Sequence, residues 1–291
     1  MQKSESQAVA GSVAAVAIGV LVAFAGSQGS VSVVGLPLFA LCAVIAFAVQ
    51  WIVFVPSWLA QTEHYFDLTG SLTYLTLVVV VVLLTGAEDP RTLVLGGLVA
   101  IWALRLGSFL FLRVRKDGGD NRFDELKTSF ARFFMTWTLQ GLWVFLTLSA
   151  ALAAMTSELR APLGLLAWVG IALWIVGFGI EAVADAQKRA FRRDSANAGR
   201  FITSGLWAWS RHPNYFGEIV LWFGIALIAA EVLVGWQWVT MISPLFVYLL
   251  LTRVSGIPLL ESKAKKKWGD EAAYQAYRAR TPVLVPRPPR G

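Results

Sequence analysis

Apolar runs of 17 to 25 residues recur along this 291-residue sequence, and no other feature narrows its possible folds as much. About 20 apolar residues let an α-helix cross a hydrocarbon core. A helix is favoured there because it satisfies its own backbone hydrogen bonds without water. Eight such segments can be drawn, at about 8–26, 33–55, 68–86, 92–112, 133–155, 161–181, 215–231 and 236–252. The expected fold is therefore all-α, a polytopic transmembrane helical bundle of seven or eight membrane helices. Composition agrees: 57% of residues are hydrophobic, and charged residues make up 15% against roughly 25% in soluble domains. Segment one has a basic start and AFA at 23–25, as a secretory signal would. Its apolar stretch is long for a signal, so an uncleaved helix is expected, and cleavage would leave seven helices.

A net charge of +7 could suggest nucleic acid, but topology accounts for it better. With Lys3, the loops after segments two, four and six and the region from Arg253 carry 22 lysines and arginines. The loops on the other side carry only Arg91 and Arg160, and Arg105 lies within segment four. The positive-inside rule then places both termini in the cytoplasm. The lone Cys42 lies in an apolar run, with no disulfide framework and no zinc spacing. Residues 261–280 (ESKAKKKWGDEAAYQAYRAR) read as a cytoplasmic amphipathic helix, interrupted at Gly269 and lying on an anionic membrane surface. The Pro/Arg tail from Thr281 reads as a poorly ordered end, with 286–291 disordered.

Polar residues where lipid is expected point to function. In SGLWAWSRHPNYFGE (204–218), Pro213 suits the first turn of a helix. Asn214 and Glu218 are four apart and share a face of that helix. An interfacial belt would explain Arg211, His212 and Tyr215, but it needs neither Asn214 nor Glu218. Segment six ends EAVADAQKRAFRR, where Glu181, Asp185, Lys188 or Arg189, and Arg192 fall at spacings of three and four. Snorkelling explains the bases but not the acids. Asn197, Arg200 and a Gly205 turn lie between the two stretches, so two helix ends and about six bases converge. Such a site suits a polyanionic cofactor, because guanidinium forks and a helix N-terminus both match phosphate oxygens. Glu63, His64 and Tyr65 form a compact proton-donor cluster before segment three, and Arg105 is a central intramembrane cation. No Rossmann fingerprint, P-loop, H-E-x-x-H or G-x-S-x-G occurs, and no metal site is expected.

Together these residues resemble a known family. SGLWAWSRHPNYFGE, E-x-x-x-D-x-Q-K-x-x-F at Glu181–Phe191, SGIPLLE at Ser255–Glu261, DLTGSLTY at 67–74 and RFDE at 122–125 are similar to the DUF1295 branch of the steroid 5α-reductase family. The likeness covers roughly 65–285 and divides the chain into N-terminal membrane helices (1–66) and a family domain (67–285). It implies an NADPH-dependent reductase of an activated C=C bond, with a lipophilic substrate drawn from the bilayer of a bacterial plasma membrane. By position, Asn214, Glu218 and Asp185 would hold the nicotinamide and ribose, and Arg189, Arg192 and Arg200 the phosphates. Lys188, Asn197, Arg211, His212, Tyr215 and Glu181 complete the expected cofactor set. Glu63, His64, Tyr65 and Arg105 are the candidates for stabilising or protonating the product. Two rival readings are S-adenosylmethionine-dependent methyl transfer of the isoprenylcysteine carboxyl methyltransferase type, and a transporter or scaffold. The expected partners are the substrate and membrane lipids, with no nucleic acid.

Overall fold

A computed structural model describes residues 2–86, 88–117 and 123–289. Ten α-helices follow in order among them. They are α1 (Gln2–Gly26), α2 (Leu38–Leu59), α3 (Phe66–Thr85), α4 (Pro90–Asp117), α5 (Phe130–Thr156), α6 (Leu165–Arg193), α7 (Pro213–Ala230), α8 (Ile242–Leu249), α9 (Ile257–Trp268) and α10 (Ala272–Arg280). Eight stretches are long and apolar enough to cross a membrane, the last being the near-continuous helical run Gly235–Trp268. They match the eight expected segments, with shifted ends. Phe24 and Leu83 leave 84% and 76% of their surface uncovered, as side chains facing hydrocarbon would. This is an integral membrane protein.

The departures have local causes. A hairpin with strands β1 (Ser32–Val33) and β2 (Leu36–Pro37) occupies residues expected to begin the second helix. Val34 and Gly35 turn it with φ of 51° and 77°, the left-handed pair that a tight hairpin requires. Helix α6 runs twelve residues past the apolar segment, because EAVADAQKRAFRR keeps helical spacing after its hydrophobicity ends. Past α8, the helix widens to a π turn over Leu250–Val254, where the Ser255 N–H donates to the Leu250 carbonyl at 2.9 Å.

The chain divides into two compact units. The first comprises 1–167 and 228–243, and the second 168–227 and 244–291. In the first, α5 packs against α1, α2 and α3, and Trp137, Phe145, Leu148 and Met155 are fully buried along it. Polar side chains tie the same helices: Gln50 donates to Thr73 at 2.8 Å, and the Trp51 indole to Thr138 at 3.1 Å. At one end, Arg91 is almost wholly buried. It donates to the carbonyls of Ile228 and Pro162 and pairs with Glu231 at 2.7 Å. Glu231 also accepts from the backbone N–H groups of Gly164 and Leu166, at 3.1 and 3.2 Å.

Candidate functional site

The second unit is organised by a close crossing of α6 and α7. A Cβ on Gly177 would lie 2.6 Å from the Gly217 carbonyl oxygen, and one on Gly224 would lie 2.5 Å from that of Gly170. Only glycine permits backbones to approach so closely. Helix α7 begins at Pro213 as expected, with the Phe216 N–H returning to the His212 carbonyl at 3.2 Å. Glu181 and Asp185 of α6 are buried at this crossing, and Asn214 Nδ2 donates to Asp185 Oδ1 at 3.3 Å. The two stretches singled out in the sequence therefore meet. Glu218, one turn further along α7, is half-buried.

Beyond the crossing, the chain turns at Gly205, whose φ is 60°. Gln187 fastens the turn by accepting from the Leu206 N–H at 2.9 Å, and the Trp207 indole donates to the Ala184 carbonyl at 3.0 Å. Lys188 Nζ lies 4.3 Å from the centre of the Trp207 ring, a cation–π contact. Lys188 and Trp207 border a cavity of about 330 Å³. Its lining includes six cations, Lys188, Arg192, Arg200, Arg211, Lys263 and Lys267, and one carboxylate, Glu261. Phe201, Trp207, Trp268, Tyr274 and Tyr277 supply aromatic walls.

Glu261 is the hub of that lining. It takes Arg211 at 2.5 Å and His212 Nε2 at 2.9 Å, with Arg278 further off at 3.8 Å. The His212 ring stacks on Tyr215, 5.7 Å between centroids at 9°. Burial depresses the His212 pKa, Glu261 opposes that shift, and the charges of Lys188 and Arg211 reinforce it. Nε2 carries the proton shared with the Glu261 carboxylate at 2.9 Å. His212 Nδ1 and Arg211 Nε are both buried without a hydrogen-bond partner.

The C-terminal residues form one wall of the cavity. The Trp268 indole donates to the Gly199 carbonyl at 2.6 Å, and the Tyr277 hydroxyl to the Trp207 carbonyl at 2.7 Å. Tyr274 and Tyr277 are buried against Phe201. The Pro/Arg tail is also fastened, contrary to its reading as a poorly ordered end. The Arg211 N–H donates to the Pro282 carbonyl, Ser210 Oγ to that of Leu284, and the Arg287 N–H to that of Trp209. Of the stretch 286–291, residues 290 and 291 lie outside the described residues.

Of the expected cofactor set, Lys188, Arg192, Arg200, Arg211 and His212 line the cavity. Glu181, Asp185 and Asn214 lie at the crossing, and Tyr215 backs His212. Arg189 is exposed and not part of the lining. Asn197 directs its amide to Phe191 and Asp194, fastening a local turn. The four candidate catalytic residues belong to the first unit. Glu63 is buried in an ion pair with Lys127 at 2.5 Å, and that hydrogen bond raises the Lys127 pKa. His64 bonds Thr62 at an exposed edge, Tyr65 is 53% exposed, and Arg105 is half-buried on α4. Sequence reasoning missed Glu261, Lys263 and Lys267 as lining groups. The four-residue spacing of Lys263 and Lys267 was visible, but the surface they cover was not.

Comparison with known proteins adds the family. Residues 51–281 match the family described as "Protein of unknown function (DUF1295)". Over 118 residues the chain is 30% identical to 3-oxo-5-alpha-steroid 4-dehydrogenase 1 of Rattus norvegicus, covering 40% of each chain. An uncharacterised protein of Schizosaccharomyces pombe is 29% identical over 125 residues, 36% of each chain. A shorter match, 30% over 66 residues and 23% of each chain, is to a protein of Ustilaginoidea virens named "Probable O-methyltransferase ustE". The chain thus spans well under half the length of these curated relatives. No solved structure matches it. With 51–281 of its 291 residues matched, the chain belongs to the DUF1295 family.

Proposed function

We propose that the protein is a membrane reductase that uses NADPH to saturate an activated C=C bond in a lipophilic substrate, such as an enone sterol, an isoprenoid or an acyl lipid. The observation that carries this reading is the cavity of the second unit, where six cations face a single carboxylate. Uncompensated like charge in a confined site calls for an anion, and two phosphate groups or more would balance it. The buried, unpartnered Arg211 Nε is a donor in the same wall. The size suits a small-molecule site, for which roughly 300–1,000 Å³ is usual.

NADPH, when bound, supplies a hydride; the remaining tasks fall to the chain. Arg192, Arg200 and Arg211 offer planar forks for phosphate oxygens. Lys188 adds a charge positioned by the Trp207 ring. Asn214, aligned by Asp185, offers amide groups to the ribose and nicotinamide. The aromatic walls exclude water. Reduction of an enone also needs a proton and a stabilised oxygen. Glu63, as a carboxylate paired with Lys127, would accept a proton and not donate one. The named activity of the rat relative supports C=C reduction. The charge bias between loops supports an orientation with both termini cytoplasmic.

NADPH titrated into the purified protein should quench tryptophan emission, since Trp207 and Trp268 line the cavity. Arg192→Ala should weaken that binding about tenfold or more, as expected for a lost charge-assisted contact. Binding unchanged by Arg192→Ala would remove the arginine assignment. The match to an O-methyltransferase supports a second reading, S-adenosylmethionine-dependent methyl transfer. That cofactor carries no phosphate and would leave the cations unbalanced. Thermal stabilisation by S-adenosylmethionine and none by NADPH would reverse the ranking.

A further inference from the structure

The lysines of α9 do not form one basic patch. In the run SKAKKK, Lys263 and Lys267 line the cavity with Leu260, Ala264 and Trp268, whereas Lys265 and Lys266 do not. The cause is helical spacing: positions 260, 263, 264, 267 and 268 fall on one face. Lys263 and Lys267 are one turn apart, so two ammonium groups can converge on a single anionic group. Neither makes an ion pair with a described residue, whereas Glu261 on the same helix is taken up by Arg211 and His212. Lys267 Nζ lies 4.7 Å from the centre of the Trp268 ring, and the Trp268 indole is itself held by the Gly199 carbonyl. Lys267 is therefore positioned by its ring contact, and both ammonium groups are electrostatically unspent among the described residues.

We propose that Lys263 and Lys267 form the subsite that reads the ribose phosphate distinguishing NADPH from NADH, so that α9 sets cofactor choice. This rests on the nucleotide reading above. A phosphate monoester is close to a dianion at neutral pH, and two ammonium groups one helical turn apart match it in charge. The three arginines, on the segments from α6 to Arg211, are left for the pyrophosphate that both nucleotides share.

The test uses the full-length protein at fixed ionic strength. NADPH binding is read by tryptophan quenching, and NADH binding by competition so that weak binding still registers. Lys263→Ala/Lys267→Ala is compared with Lys265→Ala/Lys266→Ala, which removes the same charge from the other face. The inner pair should lower NADPH affinity about tenfold or more while changing NADH affinity by less than about threefold, the pattern of lost charge-assisted contacts to one group. The outer pair should change either by less than about threefold. Retained NADH binding also shows that the inner variant is folded. Equal weakening of both nucleotides by the inner pair would overturn the proposal, placing the lysines on the shared pyrophosphate. Equal effects from the two double variants would overturn it too, leaving only long-range attraction. If the unaltered protein binds neither nucleotide, the cofactor reading fails first and this proposal fails with it.

Discussion

Replacing Arg91 by methionine keeps much of the side chain's bulk while removing its charge and donors. Arg91 is 1% exposed, and its guanidinium serves the carbonyls of Ile228 and Pro162 as well as Glu231. Removing one partner of a buried pair costs about 3–5 kcal/mol. Two facts reduce that figure here. The Glu231 side chain is 19% exposed, and it keeps the backbone N–H groups of Gly164 and Leu166. About 3 kcal/mol remains, equivalent to a fall of roughly 6–12 °C in the thermal midpoint of a unit this size. Glu231→Gln should cost at least as much, because it strands the more deeply buried cation. The double variant should cost less than the two single changes added together, since the residues share one interaction. Acid response gives a second readout. Burial alone would raise the Glu231 pKa, but the Arg91 hydrogen bond and the Gly164 N–H bring it below the ordinary carboxylate range. The pair therefore stabilises the fold above the ordinary carboxylate pKa, and that contribution is lost as pH falls and Glu231 protonates. Arg91→Met should blunt this acid limb. A midpoint within about 2 °C of the unaltered protein, or strictly additive variants, would refute the reasoning.

Other substitutions test the second unit. Gly217→Ala would place a Cβ 2.5 Å from the Gly177 carbonyl oxygen. It should force α6 and α7 apart at a cost of about 1–3 kcal/mol or more, lowering the thermal midpoint and loosening the Asn214–Asp185 bond. His212 has a folded pKa depressed by burial. Stability from this site should therefore be present above the ordinary histidine pKa and decline as pH falls below it; a thermal-midpoint titration that stays flat in His212→Gln would check this. Tyr277→Phe removes the donor to the buried Trp207 carbonyl. It should cost about 1 kcal/mol and speed proteolysis within α10, read by the rate of cleavage.

The eight spans were legible because lipid demands a long apolar stretch for every crossing, and little else yields that pattern. The convergence of the Asp185 and Asn214 stretches was legible for a related reason. Both carry polar groups at the ends of apolar segments, where such groups point to a shared function. The role of 261–280 was not legible. A helix with lysines on one side and aromatic rings on the other fits an anionic membrane or a basic cavity wall equally well. What decides is the apolar and aromatic surface of Phe201, Trp207 and Gly199 waiting opposite, and that surface exists only after folding. The tail read as disorder for its proline and arginine content. Its order comes from three backbone carbonyls and N–H groups, which composition cannot reveal. For Glu63, the sequence suggested a proton donor because Lys127, its ion-pair partner, lies 64 positions away.

The wall contributed by α9 and α10 also has a consequence for biosynthesis. A ribosome reaches Glu261 only after α1 to α7 have been made and can already occupy the bilayer. A polypeptide halted near Ser255 would therefore retain most of its membrane-crossing helices yet present an open, strongly cationic trough at the Arg192–Arg211 segment. In such a nascent intermediate the cavity lacks one wall, and it closes only when these last helices fold back.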